Sequence, residues 1–165
     1  MRGKWAAGIE PRHFAWVIKD RLAVSERPGG YSRNHRKVRR QEEIIWLREQ
    51  GFARVVSLLP SPHNLHAYDE LNMPWAHFPL GPGVDPRTYL HDLYVHLRDW
   101  LAAGDRILLH QEELSDRLQG VVAGYLLWSR LLPSRPQAIT VLEQILHRQM
   151  GPPGRELVGV ASELT

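Results

Sequence analysis

The stretch from Arg106 to Leu131 constrains the fold of this chain more than any other. Arg106 to Leu109 is a short, largely apolar run that ends at His110, and a loop of polar and charged residues follows, broken only by Leu114. Arg117 then opens a long apolar segment that continues to Leu131. A buried strand that passes through a tight polar loop directly into a buried helix belongs in a sheet covered by helices. Gly120, Ala123 and Gly124 leave little side chain on that helix, so it can press against its neighbours from a central position.

The remaining elements agree with that architecture. Phe14 to Ile18 and Arg21 to Ser25 read as two short extended segments, closed by Pro28, Gly29 and Gly30. Val38 to Gln50 predicts a helix with Ile44, Ile45 and Leu47 on its apolar side and Gly51 as its stop. Ala53 to Leu59 is a buried strand, Asn64 to Leu71 a short helical segment, and Trp75 to Phe78 extended again. Asp85 and Pro86 form a cap and first-turn pair for a helix with Leu90, Leu93, Tyr94, Leu97 and Leu101 on one face. Two further helices follow. One begins near Ser134 and Pro136 and buries Ala138, Ile139, Leu142, Ile145 and Leu146; the other runs from about Arg155 with Leu157, Val158 and Ala161. Strands alternating with helices predict an α/β fold with a central, mostly parallel sheet of four to five strands flanked by helices.

At 165 residues the chain can bury one good core, and a single domain is expected over 1–165, its core about 12–150 and its last helix about 154–164. The longest apolar run, Val121 to Trp128, falls well short of a membrane span, and no secretory apolar region follows Arg2 and Lys4. A cytoplasmic protein is expected. There are no cysteines, which removes disulfides, thiolate metal sites and every cysteine-nucleophile mechanism.

The order His110-Gln111-Glu112-Glu113-Leu114-Ser115-Asp116-Arg117 resembles the phosphate-binding loop of protein tyrosine and dual-specificity phosphatases, in which a strand ends in His-Cys, five residues follow and an Arg begins the next helix. In that family backbone N–H groups wrap a phosphate at a helix N-terminus, the Arg grips two of its oxygens and the thiolate attacks phosphorus. The resemblance extends to Phe14–Ile18 with Arg21–Ala23, to Arg54–Leu58 and to Val121–Leu126, and so covers roughly residues 12 to 150. It implies the phosphatase-like fold.

It also implies lost catalysis. Gln111 stands where the family has its nucleophilic cysteine, and an amide cannot attack phosphorus. Leu80, within His77-Phe78-Pro79-Leu80, stands in the place of the acid that protonates the leaving alcohol, and Asp85 nearby reads as a helix cap. Leu114 replaces a glycine of the loop, Leu118 replaces a hydroxyl residue, and Glu112, Glu113 and Asp116 bring negative charge to a phosphate's seat. Arg117 is expected to pair with one of those carboxylates and staple the loop, with His110 hydrogen-bonded under the sheet; the alternative is Arg117 as an anion receptor.

The resulting expectation is a non-catalytic interaction or regulatory module, without a cofactor, whose partner is another protein of acidic or phosphorylated character. Two rivals remain. One is a phosphoester hydrolase with altered, metal-assisted chemistry on Glu112, Glu113 or Asp116. The other is an anionic-ligand or nucleic-acid binder through Arg33, Arg36, Lys37, Arg39 and Arg40, since residues 1–50 hold 12 Lys and Arg against 6 Asp and Glu. Nucleic acid is the less favoured ligand, because the only aromatic residues near that run are Tyr31 and Trp46. Neither His63 with His66 nor His91 with His96 has a third ligand at metal spacing, so no metal site is expected.

Overall fold

The computed structural model describes residues 8–30, 37–62 and 64–164. Its centre is a five-stranded sheet built from β1 (Ala15–Ile18), β2 (Leu22–Glu26), β3 (Arg54–Ser57), β4 (Trp75–His77) and β5 (Ile107–Gln111), in the order β1-β2-β5-β3-β4. Only the β1–β2 hairpin is antiparallel; β2 with β5, β5 with β3 and β3 with β4 are parallel. The strand endpoints differ from the sequence expectation by a residue or two. β5 is the consequential case, because it runs on through His110 to Gln111, held by pairing of Gln111 with Glu26.

Parallel strands in the middle of such a sheet are buried on both faces, so successive side chains feed two separate cores. Leu22, Val24, Val56, Leu58, Ile107 and Leu109 point to one side, against α3 (Pro86–Ala102), α4 (Asp116–Trp128), α5 (Arg135–Leu146) and α6 (Pro152–Ser162). Ala23, Val55 and Leu108 point to the other, against α1 (Lys37–Glu49) and α2 (His66–Glu70), where Ile44, Leu47, Tyr68 and Met73 complete a smaller core.

Helix ends follow their caps. Asp85 caps α3 by accepting from the Thr88 backbone N–H at 3.1 Å and from its hydroxyl at 2.6 Å, so its carboxylate serves the helix rather than a leaving group. The last helix begins at Pro152, three positions before Arg155, because Gly151, Pro152 and Pro153 suit an N-cap and first turn. In α5, Ala138 and Leu142 are buried while Ile139, Ile145 and Leu146 are only half-buried. The helix lies on the outside of the bundle, against α4, α6 and β1, and covers less apolar surface than its pattern predicts. Toward its C-terminus α4 is shorter than expected, ending at Trp128, and Arg130 turns the chain with φ 64°.

Central helix α4 is held unusually close to α6. A Cβ added to Gly120 would lie 2.4 Å from the Gly154 carbonyl oxygen, and one added to Gly154 would lie 2.3 Å from the Asp116 carbonyl oxygen. Only glycine fits at either point. The first turn of α4 and the start of α6 therefore meet backbone to backbone.

Candidate functional site

Parallel register brings the carboxyl ends of β2, β3 and β5 to one rim of the sheet, with Ser25 and Ser57 flanking His110, and Glu26 flanking Gln111. Such a rim is where open α/β sheets place their ligands. The loop from β5 to α4 closes over it. Beside the loop is a pocket of about 360 Å³, walled on one side by Leu59, Pro60 and Leu80 and on the other by Gln111, Glu112, Glu113, Ser115 and Arg117.

Gln111 forms part of that wall and is tied down at both ends of its amide. The Ser115 hydroxyl donates to its Oε1 at 2.5 Å, and its Nε2 donates to the Leu58 carbonyl over a long 3.5 Å. Ser115 holds the loop in a second way, because its Oγ accepts from the Leu118 N–H and so caps α4. Its own N–H donates to the Glu113 carbonyl at 2.8 Å. That amide is turned into the loop instead of toward the pocket. No residue from Gln111 to Arg117 adopts a left-handed backbone, so Leu114 sits in the loop without strain.

The acidic residues do not act as a group. Glu112 and Glu113 are exposed, and the nearest cation to Glu112 is Arg27 at 3.9 Å, too far for a hydrogen bond. Asp116 faces away from the pocket: its Oδ1 accepts from the Gly151 N–H at 2.9 Å and from Arg148 at 2.8 Å. These bonds, the Gly151 amide first, hold its carboxyl below the usual carboxylate range. The expected staple is therefore corrected, since Asp116 is taken by the start of α6 and the Arg117 side chain is exposed with no ion pair among the described residues. Among those residues no group of three His, Asp or Glu is placed to hold a metal ion. Leu118 packs into the core.

Under the sheet's rim His110 is buried, and its Nε2 shares a 3.1 Å hydrogen bond with the Tyr68 hydroxyl. Burial lowers the imidazole to about 4; the backbone of Gln111 opposes this, and the nearby Arg27 and His77 add to it. Burial also raises the Tyr68 hydroxyl. Both groups are neutral at physiological pH, so the pair is a structural hydrogen bond and not a proton-transfer couple.

The basic run is divided. Arg33 and Arg36 lie outside the described residues, as do Tyr31 and His63. Of the rest, Lys37 is exposed, Arg39 donates to Glu43 at 2.8 Å, and Arg40 is half-buried beside Tyr68 and His110, its basicity lowered by burial and then by Arg27.

Sequence reasoning missed Tyr68, Arg148 and Gly151, because each meets the loop from more than 30 residues away along the chain. Ser115 offered a signal that was open to view, as a Ser directly before a helix is a standard N-cap.

No protein-family model and no curated protein sequence matches this chain significantly. Solved structures do match along nearly its whole length. It is similar to Tk-PTP in its active form, with 18% identity, 93% of this chain and 98% of that one covered, and a TM-score of 0.73. It is similar to a kinase-associated phosphatase whose catalytic-site cysteine is changed to serine, with 19% identity, 93% and 96% covered, and a TM-score of 0.76. Human DUSP28 matches at 16% identity, with 94% and 97% covered and a TM-score of 0.68. At such identities the likeness is one of architecture, and this chain has the fold of dual-specificity and protein tyrosine phosphatases.

Proposed function

We propose that this protein is a pseudophosphatase, a phosphatase-fold chain that performs no hydrolysis and acts as an interaction or regulatory module for another protein. The observation that carries this reading is Gln111. It stands at the end of the strand that delivers the nucleophile in this fold, and its amide, held by Ser115 and Leu58, has neither a lone pair basic enough to attack phosphorus nor a base to activate it.

Three further features support it. Leu80 puts an apolar side chain on the wall of the pocket where a proton donor would be needed. The Ser115 N–H, one of the donors a phosphate cradle would require, is already bonded to Glu113. Glu112 and Glu113 repel a phosphate dianion from the same opening, and exposed Arg117 alone is a weak counterweight. The scaffold around the pocket is nevertheless a well-packed core on both faces of the sheet, as expected of a chain that uses its surface. In this reading the partner covers the mouth of the pocket without seating a phosphate in it, and exposed Arg117 offers its guanidinium to a carboxylate at the rim.

The test is hydrolysis of an aryl phosphate by the purified chain, alone and with divalent cations. No turnover above buffer is expected. Turnover that disappears in Arg117→Ala would overturn the proposal, and turnover that requires a metal ion would replace it with a metal-assisted hydrolase.

A further inference from the structure

We infer a second docking face, at the opposite end of α4 from the β5–α4 pocket, that takes an acidic peptide carrying apolar side chains. Thirteen residues of helix separate the two places, about 20 Å at 1.5 Å per residue. The inference does not depend on whether the first pocket is silent.

The site is a groove of about 620 Å³ between the α4–α5 connection and the end of α6. Leu127, Leu132 and Pro133 give it an apolar side, while Arg130 and Arg135 are its only charged lining residues. Neither arginine side chain has a hydrogen bond or an ion pair to any described residue, although other arginines on this molecule find carboxylates. Glu163, next to the lining residue Ser162, is drawn off to Arg87 at 2.6 Å. The groove therefore carries two uncompensated positive charges beside an apolar wall.

The backbone holds this arrangement. Arg130 adopts φ 64°, a left-handed conformation that non-glycine residues rarely take, and the Leu132 N–H donates to the Leu126 carbonyl at 3.1 Å. Together these fold the connection back over the end of α4. Leu131, between two lining residues, is left 57% exposed; among the described residues it is one of two large apolar side chains standing out in solvent. Exposed leucine beside unpaired arginines is the complement of a segment in which carboxylates alternate with apolar side chains. A nucleic acid would use the arginines but leave the apolar wall and Leu131 without partners.

The probe is a short fluorescein-labelled peptide of alternating glutamate and leucine, followed by fluorescence anisotropy. Saturable binding is expected, about tenfold weaker in the double variant Arg130→Glu with Arg135→Glu. Leu131→Ser, which removes an exposed side chain and leaves the core untouched, is expected to weaken it severalfold and keeps the test valid if the double variant melts early. A lysine–leucine peptide is not expected to bind. The inference falls if the acidic peptide does not saturate, if both variants bind it as the parent does, or if polyglutamate without leucine binds equally well. Arg117→Ala is expected to leave binding unchanged, and loss there would move the peptide to the other pocket and overturn this site. A dimer of the chain alone, abolished by Arg130→Glu with Arg135→Glu in sedimentation velocity, would make a second copy the occupant and overturn the peptide.

Discussion

The Tyr68 hydroxyl lies 3.1 Å from Nε2 of His110, a bond between two buried side chains that are 42 residues apart. It joins the short helix α2 on one face of the sheet to the strand end that leads into the candidate pocket. His110 Nδ1 has no hydrogen-bond partner among the described residues, so Nε2 carries all the polar satisfaction the ring receives from another side chain.

Replacing Tyr68 with Phe keeps the ring and removes that bond. The imidazole is then left buried with neither nitrogen bonded to a side chain, and the expected loss is about 1–3 kcal/mol. Urea denaturation of Tyr68→Phe measures it, and a midpoint unchanged from the parent would show that the pair contributes nothing.

His110 also sets a direction for acid stability. Its folded value of about 4 lies below the ordinary 6.5, so between these limits the unfolded chain takes up a proton that the folded chain refuses. Stability from this group is complete above pH 6.5 and is expected to fall by about 3 kcal/mol as the pH drops to 4. Proton NMR of the imidazole should find His110 still neutral at pH 5; a midpoint near 6.5 would contradict the assignment.

Restoring a thiol is not expected to restore chemistry. In Gln111→Cys the side chain reaches the pocket, but the Ser115 N–H stays bonded to Glu113, Leu80 still offers no proton, and Glu112 and Glu113 still repel the substrate. The variant should react with iodoacetamide yet leave an aryl phosphate intact. Appreciable turnover would mean that a missing nucleophile was the single defect.

Gly120 and Gly154 set the spacing of α4 and α6, and a methyl group at Gly120 would meet backbone atoms that cannot rotate away. Gly120→Ala is expected to cost about 1–3 kcal/mol, which lowers the melting temperature by about 2–4 °C per kcal/mol in a chain of this size. Calorimetry would detect it. Gly83→Ala is a useful contrast, since its Cβ meets no atom within 4 Å and only the positive φ of 82° opposes it.

How much of this was legible depends on how far apart the cooperating residues are. Helix α3 could be read from Asp85, Pro86 and the spacing of Leu90, Leu93 and Leu97, because a cap and a 3.6-residue period are local. The strand, loop and helix around His110 were legible for the same reason, and the small residues of α4 announced the close approach to another helix without saying which. The fate of Asp116 was not legible. Charge alone makes Arg117, the next residue, its obvious partner, yet the backbone N–H of Gly151 and the side chain of Arg148 win because α6 packs against the first turn of α4. A backbone amide has no sequence signature as a hydrogen-bond donor, since every residue but proline has one. The surroundings of the basic run were equally hidden, since the bond of Arg39 to Glu43 and the place of Arg40 beside Tyr68 depend on how α1 packs against the rest of the molecule.

The sheet's two margins carry a consequence for how this protein behaves in a crowded cell. β4 has three residues, and β1 has four with its register broken between Trp16 and Ile18. Neither offers a long, regular row of free amides and carbonyls on which a stranger's strand could zip up. The molecule is thereby guarded against fibrous self-association, and whatever it meets must be recognised by side chains standing on loops and helices.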